Sequence, residues 1–133
     1  MIDQYGREID YLRISLTKRC NLRCIYCMPE ENEEMQEEDL TFEEIIRIVS
    51  LMSQLGIHHV RLTGGEPLLR KNVQDLVRQL KKISGIETVH LTTNAVLLDR
   101  MIDGLAEAGL DGINISLDTR DRENFARITR RDC

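Results

Sequence analysis

GIHHVRLTGGEP (residues 56–67) decides the fold. Its first eight residues run glycine, apolar, two variable residues, branched apolar, polar, apolar, hydroxyl. The same order returns in GIETVHLT (85–92) and GLDGINIS (109–116). Alternation of apolar and polar side chains with a period of two marks a half-buried β-strand. YLRISLT (11–17) falls into the same register. Four strands are therefore predicted, three of them entered through a glycine.

Helical patterns fill the intervals. TFEEIIRIVSLMSQL (41–55) opens with Thr41 and Glu44 at the spacing of a capping box. Ile45, Ile48, Val49, Met52 and Leu55 are predicted to share one face of that helix. KNVQDLVRQLKKI (71–83) repeats the pattern with Val73, Leu76, Val77, Leu80 and Ile83, and LDRMIDGLAEA (98–108) is a shorter version with Leu98, Met101, Ile102 and Leu105. Gly56, Gly85 and Gly109 then stand where helix C-caps belong. Strands alternating with helices in this way form a parallel sheet.

The two strand faces differ. Leu12/Ile14/Leu16, Val60/Leu62, Val89/Leu91 and Ile113/Ile115 point one way, toward the predicted helices. Arg13/Ser15/Thr17, Arg61/Thr63, His90/Thr92 and Asn114/Ser116 point the other way. Parallel sheets seldom leave a face to water, so the polar face is expected to line the lumen of a barrel-like sheet. The expected fold class is α/β, a partial TIM-like barrel of parallel βα units. In such barrels the chemistry sits at the C-terminal ends of the strands. That rim is where RCNLRCIYCMPE (19–30), GGEP (64–67), TTNA (92–95) and SLD (116–118) fall.

A chain of 133 residues with 41% hydrophobic and 31% charged residues has the composition of one soluble domain. The formal net charge of −5 speaks against a nucleic-acid surface, and no apolar stretch reaches the length of a membrane span. A cytoplasmic location is expected, and there clustered cysteines are metal ligands or redox thiols rather than disulfides. Three of the four cysteines fall at Cys20, Cys24 and Cys27, and the fourth is Cys133. A closed zinc site needs four protein ligands, so three leave a vacancy unless Cys133, His58 or His59 fills it. An iron–sulfur cubane held by three thiolates leaves one iron open.

The spacing Cys20-x3-Cys24-x2-Cys27, with Tyr26 before the last cysteine and GGEP ending the second strand, resembles the signature of the radical S-adenosylmethionine superfamily. Within it, LRISLTKRCNLRCIYCMP, RLTGGEPLLR, LTTNAVLL and INISLDT are most similar to the GTP-cyclising enzymes of molybdenum cofactor biosynthesis. The resemblance implies a 4Fe-4S cluster on Cys20, Cys24 and Cys27. It implies S-adenosylmethionine contacts at Tyr26, Gly65 and Ser116, with Glu66 as a supporting carboxylate. It also implies GTP contacts at Arg13, Arg61 and Thr92, and a one-electron donor as partner. The bound cofactor would form a 5′-deoxyadenosyl radical that cyclises GTP, while the protein positions groups and excludes solvent. No side chain is assigned as acid, base or nucleophile.

The family's core has six βα units followed by a second cysteine cluster. Residues 1–133, with about four units, are expected to be the N-terminal portion of that core, inactive toward GTP alone and with a sheet edge open to self-association. Blander alternatives stand beside these expectations. The cysteines could form a zinc knuckle in a non-catalytic module, or serve a peptide-modifying or activating member of the superfamily. Gly64-Gly65 could be a simple turn, Arg13 and Arg61 could pair with Glu66 or Asp118, and Thr92 and Ser116 could merely end strands. His90 is expected to pack, and the acidic run 30–39 to be a solvated connection.

Overall fold

A computed structural model describes residues 2–27 and 39–132. Strands β1 (Tyr11–Ser15), β2 (His59–Thr63), β3 (Thr88–Thr93) and β4 (Gly112–Ile115) alternate with helices α1 (Phe42–Gln54), α2 (Val73–Leu80), α3 (Ile102–Glu107) and α4 (Arg122–Thr129). The strands form one parallel sheet in the order β1-β2-β3-β4. Consecutive strands are neighbours in the sheet, the usual outcome when each parallel strand is followed by a helix that crosses back over it.

The sequence signals act locally as expected. The Thr41 hydroxyl accepts from the Glu44 N–H while the Glu44 carboxylate accepts from the Thr41 N–H, a complete capping box that starts α1. Gly56, Gly85 and Gly109 take φ of 92°, 90° and 88°, the left-handed region that glycine enters without steric cost. Central strands β2 and β3 bury their apolar positions completely: Val60, Leu62, Val89 and Leu91 are at most 1% exposed. They pack on Ile45 and Val49 of α1 and on Val73, Leu76, Val77 and Leu80 of α2. Each such side chain contributes about 1.5–3 kcal/mol through burial.

Three expectations are corrected at the periphery. Ile48 and Leu55 are exposed, because at 3.6 residues per turn both lie a quarter-turn or more from the buried Val49. Phe42 and Ile46 flank the core instead. The 98–108 segment is a 3-10 turn, Leu98–Arg100, followed by α3, and so short a helix brings Leu105 under the sheet but leaves Ile102 exposed. Ile115 is 55% exposed rather than packed, since β4 is an edge strand with a neighbour on one side only.

Among the described residues no helix is long and apolar enough to cross a membrane. The acidic run lies outside the described residues except for Asp39, which faces Arg19 at 3.4 Å and Arg70 at 3.7 Å. Cys133 also lies outside them.

Candidate functional site

The rim is built by a close approach of two backbones. Beyond β1 the chain continues alongside the end of β2: the Leu16 N–H donates to Thr63 O at 2.8 Å and the Gly65 N–H to Thr17 O at 2.6 Å. The Glu66 N–H donates to Arg19 O at 2.7 Å. A Cβ on Gly64 would stand 2.7 Å from Thr17 O, and one on Gly65 would run into the Arg19 carbonyl. The glycine pair thus has a steric reason that a plain turn would not require. It presses the β2 rim against the segment that delivers Cys20.

From there the cysteine loop is fastened to the ends of β3 and β4. Asn94 donates through Nδ2 to Asn21 Oδ1 at 2.8 Å and approaches Cys20 Sγ at 3.8 Å. The Tyr26 hydroxyl donates to Asp118 Oδ2 at 2.7 Å, across 92 residues of sequence. That bond is the main reason the Tyr26 phenol is raised well above its ordinary value. The Arg23 and Ile25 N–H groups donate to Thr129 O and Ile128 O, both at 2.9 Å, so the end of α4 folds over the rim. At the base of the loop, Arg70 donates to Leu16 O and Leu40 O and lies over the Phe42 ring.

Cys20 and Cys24 are half-buried and Cys27 is exposed. Burial pushes the Cys24 thiol up, opposed by a bond from Tyr26 and reinforced by the neighbouring Cys20 and Cys27 sulfurs. Among the described residues no three His, Cys, Asp or Glu side chains converge on a single ion position. Structural zinc sites close with four protein ligands, and iron–sulfur clusters are held by cysteine thiolates. His58 and His59, the fourth donors a zinc site would need, are held at the opposite end of the sheet by Gly85 O and Thr88 Oγ1. The donor set of three thiols fits the cluster.

Glu66 is 1% exposed, and its carboxyl group is used by the protein. It accepts from the Leu68 N–H at 3.0 Å, the Thr93 hydroxyl at 2.7 Å and the Asn94 N–H at 2.9 Å. Its part is to join the β2 rim to the β3 rim. Thr93, Asn94 and Asp118 were not singled out in the sequence for these roles. TTNA carried the signal, but Thr93 occupies the apolar parity of β3, and its burial with Glu66 depends on a contact 27 residues away.

On the polar face, Arg13 pairs in register with Arg61, and Arg61 with His90. The Arg61 guanidinium carbon stands 5.9 Å from the centre of the Tyr11 ring, and Nη2 is 3.4 Å from His90 Nδ1. Arg61 Nε and Thr92 Oγ1 are buried with no hydrogen-bond partner among the described residues. Glu66 and Asp118 bond to Thr93, Asn94 and Tyr26, and among the described residues neither Arg13 nor Arg61 forms an ion pair with them. Ser116 is exposed at the end of β4, its N–H donating to Thr93 O at 2.8 Å.

Comparison with known proteins bears on the family and the fold. Residues 14–133 match the family described as the Radical SAM superfamily. The chain is 51% identical over 132 residues to a GTP 3′,8-cyclase of Chlorobaculum tepidum, covering 99% of this chain and 40% of that protein. It is 52% identical over 132 residues to one of Limosilactobacillus fermentum, covering 98% of this chain and 40% of that one. The chain thus spans about 40% of the length of these curated relatives. The crystal structure of BtrN in complex with AdoMet and 2-DOIA superposes with a TM-score of 0.68 over 92% of this chain and 51% of that one, at 17% identity. This is a likeness of fold.

Proposed function

Because the chain belongs to the radical SAM superfamily, we propose that it is the cofactor-binding portion of a GTP 3′,8-cyclase acting in molybdenum cofactor biosynthesis. Residues 1–133 form the N-terminal part of the radical SAM core domain in this proposal. Cys20, Cys24 and Cys27 would hold a 4Fe-4S cluster. Tyr26, Gly65 and Ser116 would face S-adenosylmethionine, with Glu66 keeping the glycine pair in place. When bound, the cluster and S-adenosylmethionine supply a 5′-deoxyadenosyl radical, given one electron by a donor protein or reductant.

The chain's own residues do the rest by position. The Gly64-Gly65 approach and the Asn94 and Tyr26 bonds hold the cysteine loop at the C-terminal rim of the sheet, so that a cofactor bound there would stand near a substrate held on the polar face. Arg13 and Arg61 offer permanent cations with forked donors, which suit a triphosphate, and Thr92 adds a hydroxyl. The observation that carries the substrate assignment is the pair of buried atoms left open there, Arg61 Nε and Thr92 Oγ1. Buried polar atoms are costly when unpaired, and acceptor oxygens of a ligand would satisfy both.

Anaerobic reconstitution tests the proposal. The chain should take up iron with acid-labile sulfide, lose both on Cys20→Ser, Cys24→Ser or Cys27→Ser, and cleave S-adenosylmethionine when reduced. It should also bind GTP. Stoichiometric zinc without sulfide would overturn the cluster, and GTP affinity unchanged by Arg61→Ala would overturn the substrate.

A further inference from the structure

We propose that His90 is a positioning residue, the side chain that aims Arg61 at the lumen ligand, an assignment that rests on the GTP reading above. His90 stands on the polar face of β3 between Val89 and Leu91, both completely buried on the opposite face. Register sets it between Arg61 of β2 and Gly112 of β4. A Cβ on Gly112 would meet His90 Nε2 at 3.5 Å and both Cδ2 and Cε1 at 3.6 Å. These are ordinary van der Waals distances, and three ring atoms at nearly equal range place the imidazole beside that position.

On its other side the ring meets Arg61, with Nδ1 3.4 Å from Nη2. A guanidinium can only donate, so Nδ1 is the acceptor and the ring proton sits on Nε2. Tyr11 flanks the same guanidinium from β1, 5.9 Å away. Arg61 is therefore held between two rings contributed by the strands on either side. A long, flexible cation has become a fixed one, with Nε–H left without a partner among the described residues. Thr92, two positions beyond His90 on the same face, also keeps its hydroxyl open. A packing role alone would not orient Arg61 or leave two neighbouring polar atoms unsatisfied on one face. Preorganising a binding group in this way lowers the ordering cost of ligand capture.

The test is calorimetric titration of the 133-residue chain with GTP, beside nitrogen NMR of the His90 ring. His90→Leu should weaken GTP binding about five- to tenfold, the loss expected when one hydrogen bond that orders a charged group is removed. His90→Asn, whose side-chain oxygen can stand in for Nδ1, should recover most of it. Gly112→Val, which keeps the imidazole but displaces it, should reproduce the His90→Leu loss. The NMR should report a proton on Nε2 and none on Nδ1. A proton on Nδ1, or unchanged affinity in His90→Leu while Arg61→Ala loses binding, would overturn the role of His90 alone. Absence of GTP binding by the unmutated chain would overturn the GTP reading and this assignment with it.

Discussion

The Glu66 carboxyl group and the Thr93 hydroxyl meet at 2.7 Å inside the rim, where Glu66 is 1% exposed and Thr93 2%. Two adjacent strands are joined there by a buried polar bond that also holds the N–H groups of Leu68 and Asn94. Replacing Glu66 by Ala orphans three donors at once and should cost about 3–5 kcal/mol. Glu66→Gln turns one acceptor into a donor facing Asn94 and should cost about 1–3 kcal/mol. Urea unfolding of both variants measures this, and equal stability of Glu66→Ala and the parent would refute the linkage.

Gly65→Ala should spare the fold more than the metal. The new Cβ collides with the Arg19 carbonyl, one residue before Cys20, so the cysteine loop must shift. Iron and sulfide uptake should fall sharply while far-ultraviolet circular dichroism stays near that of the parent. Gly104→Ala is the control: a Cβ there meets nothing within 4 Å, and uptake should be unchanged.

Asp111 gives a pH dependence with a definite sign. Burial pushes its carboxyl up, but bonds from Lys81 Nζ at 2.8 Å and the Val89 N–H at 2.7 Å outweigh it, and the group is held below its ordinary value. A depressed folded pKa contributes stability that is present above the unfolded value of about 4 and is lost as pH falls through the folded value. Asp111→Asn should therefore flatten the acid limb of a urea-midpoint profile. Asp132→Asn, at a fully exposed pair with Arg122, should leave that limb in place.

Ala95 adopts φ of 66° just beyond β3. A left-handed conformation costs a residue with a side chain about 1–2 kcal/mol, and glycine costs about 0.4–1 kcal/mol through its freer unfolded chain. Ala95→Gly should stabilise the protein by about 0.5–1 kcal/mol, raising Tm by about 2–5 °C. A lower Tm would show that the turn is held by something other than backbone preference.

Period-two alternation in 56–63, 85–92 and 109–116 determined the strands and their faces, because side-chain parity along a strand is a local property, and the helical stretches between them made the sheet parallel. The capping box at Thr41 and the positive-φ glycines were legible for the same reason. Cys20, Cys24 and Cys27 stood out by their spacing, and the family resemblance implied a ligand role for them. What only the tertiary structure decided are contacts between distant segments: Glu66 with Thr93, Tyr26 with Asp118, Asn94 with Asn21, and Arg61 with the Tyr11 ring on one side and His90 Nδ1 on the other. Edge effects belong there too, since the exposure of Ile115 depends on which strands stand beside it. Local pattern sets where a side chain points, but its partner is set by what other segments bring opposite it.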